Sequence, residues 1–384
     1  MTLLDFAAVA RLRDKPVDWR YKGMPPDVST VDDLVGRRVP VDGFTSPVAA
    51  LVGPALYGNL DRYADFCTRH GLDFAPHLKT TMAPQLAAEQ ARRGAWAFTV
   101  ANVAQARVLR AFGARRIIIA HEVVDPASIA WLAAEQEHAE IYCWVDSPST
   151  VDLLARYRIP VFVELGAPGG RTGARSRDAA ADLVRAVHAA PGLRLAGVAG
   201  YEGTVGATRS PADLDTVRGF LRDLVAFADS VGAPAVTAGG SAYPDLVAEE
   251  LAGFAGQRIL RSGAYVAHDH VHYAHLSPLP LEPALRVWAT VVSTPEPGLA
   301  LANLGKRDVS FDLDLPVPLG VPDSVCVTAL NDQHAFLHDP TGTLRVGDWV
   351  AFGISHPCTM FDRWAALPLV DGQDRVTDLI RTYF

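Results

Sequence analysis

The sequence predicts an α/β fold: a parallel (β/α)8 barrel of the TIM type followed by a β-rich C-terminal domain. Two observations predict the barrel. From about residue 46, short apolar runs rich in β-branched and aromatic residues alternate with Ala/Arg/Leu segments of helical period. About eight such runs follow one another at even spacing, and they look buried on both faces, as parallel strands usually are. A third observation predicts the second domain: after about residue 280 helical periodicity fades and β runs separated by turn residues take over. An open doubly wound sheet is the rival for the first part, but such sheets seldom keep so even a strand count.

The expected barrel strands are 72–78 (LDFAPHL), 96–100 (WAFTV), 116–122 (RIIIAHE), 141–147 (IYCWVDS), 161–166 (VFVELG), 195–203 (LAGVAGYEG), 234–241 (PAVTAGGS) and 257–266 (QRILRSGAYV). Between them lie amphipathic segments such as VAQARVLRAFG and RDAAADLVRAVHAAPG, several ending in Gly, a common helix stop. In the last part RVWATVVST, LALANLG, SVCVTALND, HAFLHD and WVAFGIS read as strands, broken by PEPG, DPTG and VGD. The expected organisation is therefore an N-terminal arm (1–45) that packs on the β domain, a barrel (46–278) and a β domain (279–384).

The 384 residues are 49% hydrophobic, enough for a sizeable core, and the formal net charge is -8. A mildly acidic surface argues against binding nucleic acid or anionic membranes, because phosphates attract a basic face. Cys67, Cys143, Cys326 and Cys358 are widely spaced and form no C-x-x-C pair, so a reducing cytoplasm is the expected setting. The N-terminus lacks the long apolar core of a signal peptide, and no apolar run of about 20 residues is present.

Chemistry in such barrels sits at the C-terminal ends of the strands. Polar residues converge there: His77, Lys79, Thr80 and Thr81, then Thr99, Asn102, His121, Asp146, Glu164, Arg171 and Tyr201, and finally Gly239-Gly240-Ser241 and Arg261-Ser262-Gly263. A lysine directly after an apolar strand, as Lys79 is, points into the barrel mouth or out to solvent. In the mouth, desolvation would lower its pKa and make it a nucleophile toward an aldehyde. Gly239-Gly240-Ser241 precedes a helix, and a Gly-rich turn before a helix N-terminus suits a phosphate as well as an ordinary tight turn. His356 and Cys358 lie two residues apart. On an extended strand both project to one side, within reach of one metal or as plain strand residues. The run 268–275 (HDHVHYAH) reads mostly as solvated or interface residues.

These pieces together resemble a known family. PHLKTT, GGRTG, GYEG, GGSAYPD, LRSGAY and SHPC, in this order, are similar to the D-threonine aldolase and D-serine dehydratase group, which also includes amino-acid deaminases and has the alanine-racemase-like fold. The resemblance covers about residues 46 to 370. It implies pyridoxal 5'-phosphate (PLP) carried on Lys79, which later moves the Cα proton. It implies Arg171 beside the ring hydroxyl and Tyr201 near the pyridine ring. Gly239, Gly240 and Ser241, with Ser262, Gly263 and Tyr265, would hold the phosphate. His356 and Cys358 would bind a divalent metal, zinc being the best match for a thiolate, with manganese or magnesium as alternatives. A homodimer is implied, because active sites of this family are completed across a dimer. One departure is evident. The group often reads H-x-K-T-H-K after the first strand, whereas this chain has Thr81 and Met82 where the second His and second Lys would stand.

The expected activity is dehydration and deamination of a D-3-hydroxy amino acid, a small-molecule substrate of the D-serine or D-threonine type, to a 2-oxo acid and ammonia. His-x-Cys motivates it. The alternatives are aldol cleavage of a D-threonine type substrate to glycine and an aldehyde, racemisation, and a non-catalytic PLP-binding role. The last is disfavoured by about 100 residues beyond the barrel, since such proteins generally lack a β domain.

Overall fold

The computed structural model describes residues 2–384. Eight parallel strands form the first unit: β2 (Asp73–Phe74), β3 (Phe98–Val100), β4 (Arg116–Glu122), β5 (Glu140–Val145), β6 (Ile159–Glu164), β7 (Leu193–Ala199), β8 (Ala235–Ala238) and β9 (Gln257–Leu260). Their order is β2-β9-β8-β7-β6-β5-β4-β3. The bridge between His77 and Thr99 and the bonds Trp96 N–H to Phe74 O and Thr99 N–H to Pro76 O join β2 to β3 and close the barrel. All eight expected strands are present. Burial explains their sequences: every residue of β6 and β8 is buried, so no alternation of polar and apolar residues appears.

Helices return the chain between strands, for example Val103–Ala111, Arg177–Ala189 and Pro211–Ser230. Their starts are set by side chains in the preceding loops. Asn102, Asp125, Ser147, Ser176 and Ser210 each accept from a backbone N–H of the first helical turn. Such caps contribute typically about 1 kcal/mol each. Asn102, one of the polar residues at the strand ends, is therefore a helix cap.

The second unit is a nine-stranded sheet: β1 (Val48–Val52), β10 (Leu285–Glu296), β11 (Leu299–Ala302), β12 (Val317–Leu319), β13 (Cys326–Leu330), β14 (Ala335–His338), β15 (Trp349–Gly353), β16 (Ala366–Val370) and β17 (Val376–Arg381). Here the structure corrects the expected boundary. Val48–Val52 is not the start of the barrel but a central strand of this sheet, antiparallel to β10 and parallel to β16. The β-rich unit thus takes residues from both sides of the barrel. Apolar residues of the first 45, among them Val17, Val31, Leu34 and Phe44, pack with Val48, Trp288, Val370 and Leu379 of the sheet. Leu4 and Val9 pack instead with the barrel's main core. Among the described residues no helix is long and apolar enough to cross a membrane.

Candidate active site

The C-terminal ends of the barrel strands open into a cavity of about 340 Å3, of the size that encloses a small ligand. Lys79 stands on its wall, in a tight 3-10 turn (Leu78–Thr80) that ends the short first strand. The chain has four lysines, and Lys15, Lys22 and Lys306 lie outside the barrel. Burial pulls the Lys79 amine below the ordinary lysine value; Cys358 opposes the shift, and the charges of Arg171 and Arg261 add to it. His77, two residues earlier, is fully buried. Desolvation, followed by the same three cations, keeps its imidazole neutral.

In the same cavity, the Arg171 guanidinium lies 4.7 Å from the centre of the Tyr201 ring, a cation–π contact. Both line the cavity. Burial, then the charge of Glu202, pushes the Tyr201 phenol up to about 12, so it stays protonated.

Gly239, Gly240, Ser241 and Gly263 line the floor. Gly239 has φ +115°, and a Cβ there would meet Leu260 Cδ1 at 2.3 Å. The expectation that the Gly239 and Gly240 amides lie open to a phosphate is not met. Glu202 takes both, its Oε2 accepting from Gly239 N–H (2.9 Å) and its Oε1 from Gly240 N–H (2.6 Å). Burial raises the pKa of Glu202, against the pull of those amides and of Arg261. Ser262 and Tyr265 also differ from expectation: both are turned from the cavity. The Ser262 hydroxyl donates to Gly240 O and accepts from Tyr63, and the Tyr265 hydroxyl accepts from Gln90. Their part is to hold the walls, leaving Gly239, Gly240, Ser241 and Gly263 as the members of the expected set that border the cavity, the first two with their amides already taken.

His356 and Cys358 both line the same cavity as Lys79, although they lie in the β-rich unit. They are not on an extended strand. His356 is extended, and a 3-10 turn (Pro357–Thr359) follows and swings Cys358 inward. Cys358 Sγ is 3.2 Å from Thr80 Oγ1, next to the lysine. Burial lowers the His356 pKa, but Cys358 and Asp312 outweigh it and lift the ring to about 9. Among the described residues no three His, Cys, Asp or Glu side chains converge on one metal position. A divalent ion held by His356 and Cys358 alone would keep open positions for water or substrate.

Arg261, read from the sequence together with Ser262 and Gly263 at the end of the last barrel strand, does line the cavity. It is buried, donates through Nη2 to Gly200 O (2.7 Å), and leaves Nη1 buried without a protein partner. Trp144 and Tyr273 line the cavity with no signal beyond their strand and histidine-rich surroundings. Of the histidine run, read as mostly solvated or interface residues, His275 is exposed and His272 partly so, whereas His268 is buried and the His270 ring lies against Gly353. Thr81 and Met82 are buried and do not border the cavity.

These residues fit a phosphorylated aromatic aldehyde. They offer one desolvated amine, an aromatic–guanidinium pair for a flat ring, a glycine-lined floor, and buried polar atoms at Arg261 and His77 that lack protein partners.

Comparison with known proteins agrees. The family described as "Alanine racemase, N-terminal domain" matches residues 54–246, half of the chain. The family described as "Putative serine dehydratase domain" matches residues 284–370. A D-threonine aldolase of Arthrobacter sp is 27% identical over 298 residues, 74% of this chain and 77% of that protein. The crystal structure of D-threonine aldolase from Filomicrobium marinum is 25% identical, with TM-score 0.81 over 90% of this chain and 96% of its own. The D-threo-3-hydroxyaspartate dehydratase from Delftia sp. HT23 shares the fold, with TM-score 0.74 and 21% identity over 88% of this chain and 97% of its own. This chain belongs to the alanine-racemase-type family, in the branch that contains the D-threonine aldolases and the D-serine dehydratase domain.

Proposed function

We propose that this PLP-dependent lyase dehydrates a D-3-hydroxy amino acid, giving a 2-oxo acid and ammonia. The observation that carries the reading is one cavity holding both the only lysine of the barrel and the His356/Cys358 pair. When bound, PLP withdraws electrons from the bonds to Cα, and a divalent metal polarises a β-hydroxyl.

The chain's own residues do the rest. Lys79 would carry the cofactor and then take the Cα proton, since a buried amine with a lowered pKa is a competent base near neutral pH. Arg171 and Tyr201 would flank the ring, and Ser241 and Gly263 the phosphate. Arg261 Nη1 supplies a fixed positive donor that needs no reorganisation when charge develops. Trp144 and Tyr273 add aromatic walls to the same cavity and would help shield the reacting atoms from water. His356 and Cys358 would hold the metal on the lysine's side of the cavity. The thiolate makes zinc the best-suited ion.

Aldol cleavage to glycine and an aldehyde is the second reading, favoured by the aldolases among the relatives. Both reactions use the same lysine and metal pair, so the products decide. With D-threonine, PLP and zinc, dehydration gives 2-oxobutyrate and ammonia, lost on adding a chelator. Glycine and acetaldehyde would establish cleavage instead.

Two copies forming a dimer belong to the same reading. Phe311 and Leu313 are exposed beside the metal pair's loop, and multi-angle light scattering giving twice the 41.2 kDa chain mass would support it, whereas the single-chain mass would refute it.

A further inference from the structure

The His356–Cys358 turn is enclosed by a loop that lies 44 residues earlier in the chain. His356 N–H donates to Ser310 Oγ (3.2 Å), and the Ser355 hydroxyl donates to Asp314 O (2.7 Å). Between these two anchors stands Asp312. Its Oδ2 is 2.6 Å from His356 Nδ1, and its Oδ1 accepts from the Thr359 hydroxyl at 2.5 Å. One carboxylate thus spans both ends of the turn that presents the metal pair. The His356 side chain is 18% exposed and that of Asp312 36%.

This geometry has a chemical consequence. An imidazole that ligates a metal through one nitrogen must carry its proton on the other, and a carboxylate on that second nitrogen fixes both tautomer and ring orientation. With Nδ1 committed to Asp312, Nε2 is the nitrogen left for an ion shared with Cys358. An ordinary exposed ion pair would fix little, because solvent screens the charges and two long side chains resist being held in one geometry. Asp312 is different: Thr359 holds its second oxygen, and the Ser310 and Asp314 bonds hold its backbone neighbours on the turn.

We propose that Asp312 is a positioning residue for the metal centre, holding His356 in the tautomer and orientation that ligation requires and so setting the affinity for the ion. The inference rests on the reading that His356 and Cys358 bind a divalent metal.

The test uses the full-length, PLP-loaded protein stripped of metal, with zinc as the probe and a chromophoric chelator as competitor. Three proteins are compared: wild type, Asp312→Ala and Asp312→Asn. Loss of such an outer partner typically weakens metal binding about 10- to 100-fold. That is the result expected for Asp312→Ala. Asp312→Asn keeps an acceptor but no charge, and is expected to fall between it and wild type. PLP absorbance and the unfolding midpoint should stay at their wild-type values, which a merely structural role would not leave intact. If Asp312→Ala does not fold, Asp312→Asn decides. Variants that fold and bind zinc as tightly as wild type overturn the inference alone. A wild type that binds no zinc overturns the metal reading, and the inference with it.

Discussion

Gly263→Ala probes how tightly the cofactor end of the cavity is built. Gly263 has φ -127°, a conformation open to any residue, so the cost of a side chain there is steric. An added Cβ would lie 2.4 Å from the His77 carbonyl oxygen and 2.8 Å from Thr80 Oγ1, where ordinary contacts begin at 3.4 Å. The turn carrying Lys79 must therefore retreat by about 1 Å, which strains the bond from His77 N–H to Ser262 O (2.9 Å). Overpacking of this kind costs about 1–3 kcal/mol, and a weakened hydrogen bond adds about 1 kcal/mol. Alanine returns roughly 0.4–1 kcal/mol by restricting the unfolded chain. The expected net loss is about 1–3 kcal/mol in urea unfolding. Because the displaced turn carries the lysine, PLP affinity should drop together with stability, about tenfold for each 1.4 kcal/mol of misfit passed to the bound state. Absorbance titration with PLP measures the second effect. A variant as stable as wild type that binds PLP equally well would refute the reasoning.

Three further outcomes are expected. Lys79→Ala should abolish turnover and the absorbance of covalently held PLP while unfolding near the wild-type midpoint, as seen by product assay and spectra. Glu122→Gln should change the pH dependence of stability. Burial, then the charge of Glu164, raises Glu122 from 4.5 to about 7, so the folded chain keeps a proton that the unfolded chain releases near 4.5. Wild-type stability attributable to this group is full below about 4.5 and is lost as pH rises to about 7. The variant should gain on wild type by about 1–2 kcal/mol at pH 8 and by nothing at pH 4 in paired denaturation curves. Arg171→Ala removes a cation that depresses the Lys79 amine, so the acid limb of the PLP association rate should move to higher pH. The change should be modest, because the arginine is solvent-screened.

Much of the barrel was legible because parallel strands are buried on both faces, and runs such as RIIIAHE can be little else. The first strand was read too long. Pro76 and the turn at Leu78–Thr80 end it at Phe74, and that early ending is what sets Lys79 at the rim. β1 was missed because its partners, β10 and β16, come more than 230 residues later and leave no local trace. β12, β16 and β17 were missed for a related reason: VPL is very short, and ALPLV and VTDLIR show no clean alternation. The site followed the same pattern. Lys79, Arg171, Tyr201, His356 and Cys358 stand in ordered motifs and meet in one cavity. Glu202 and Asp312 were not legible as partners, because each acts on residues about 40 positions away through the fold.

The central claim is that Lys79 carries the cofactor. Borohydride reduction of the PLP-loaded protein, followed by peptide mass spectrometry, tests it most directly, since only four lysines compete. The account predicts one pyridoxyl-phosphate adduct, on Lys79. An adduct on Lys15, Lys22 or Lys306 with Lys79 unmodified would contradict it.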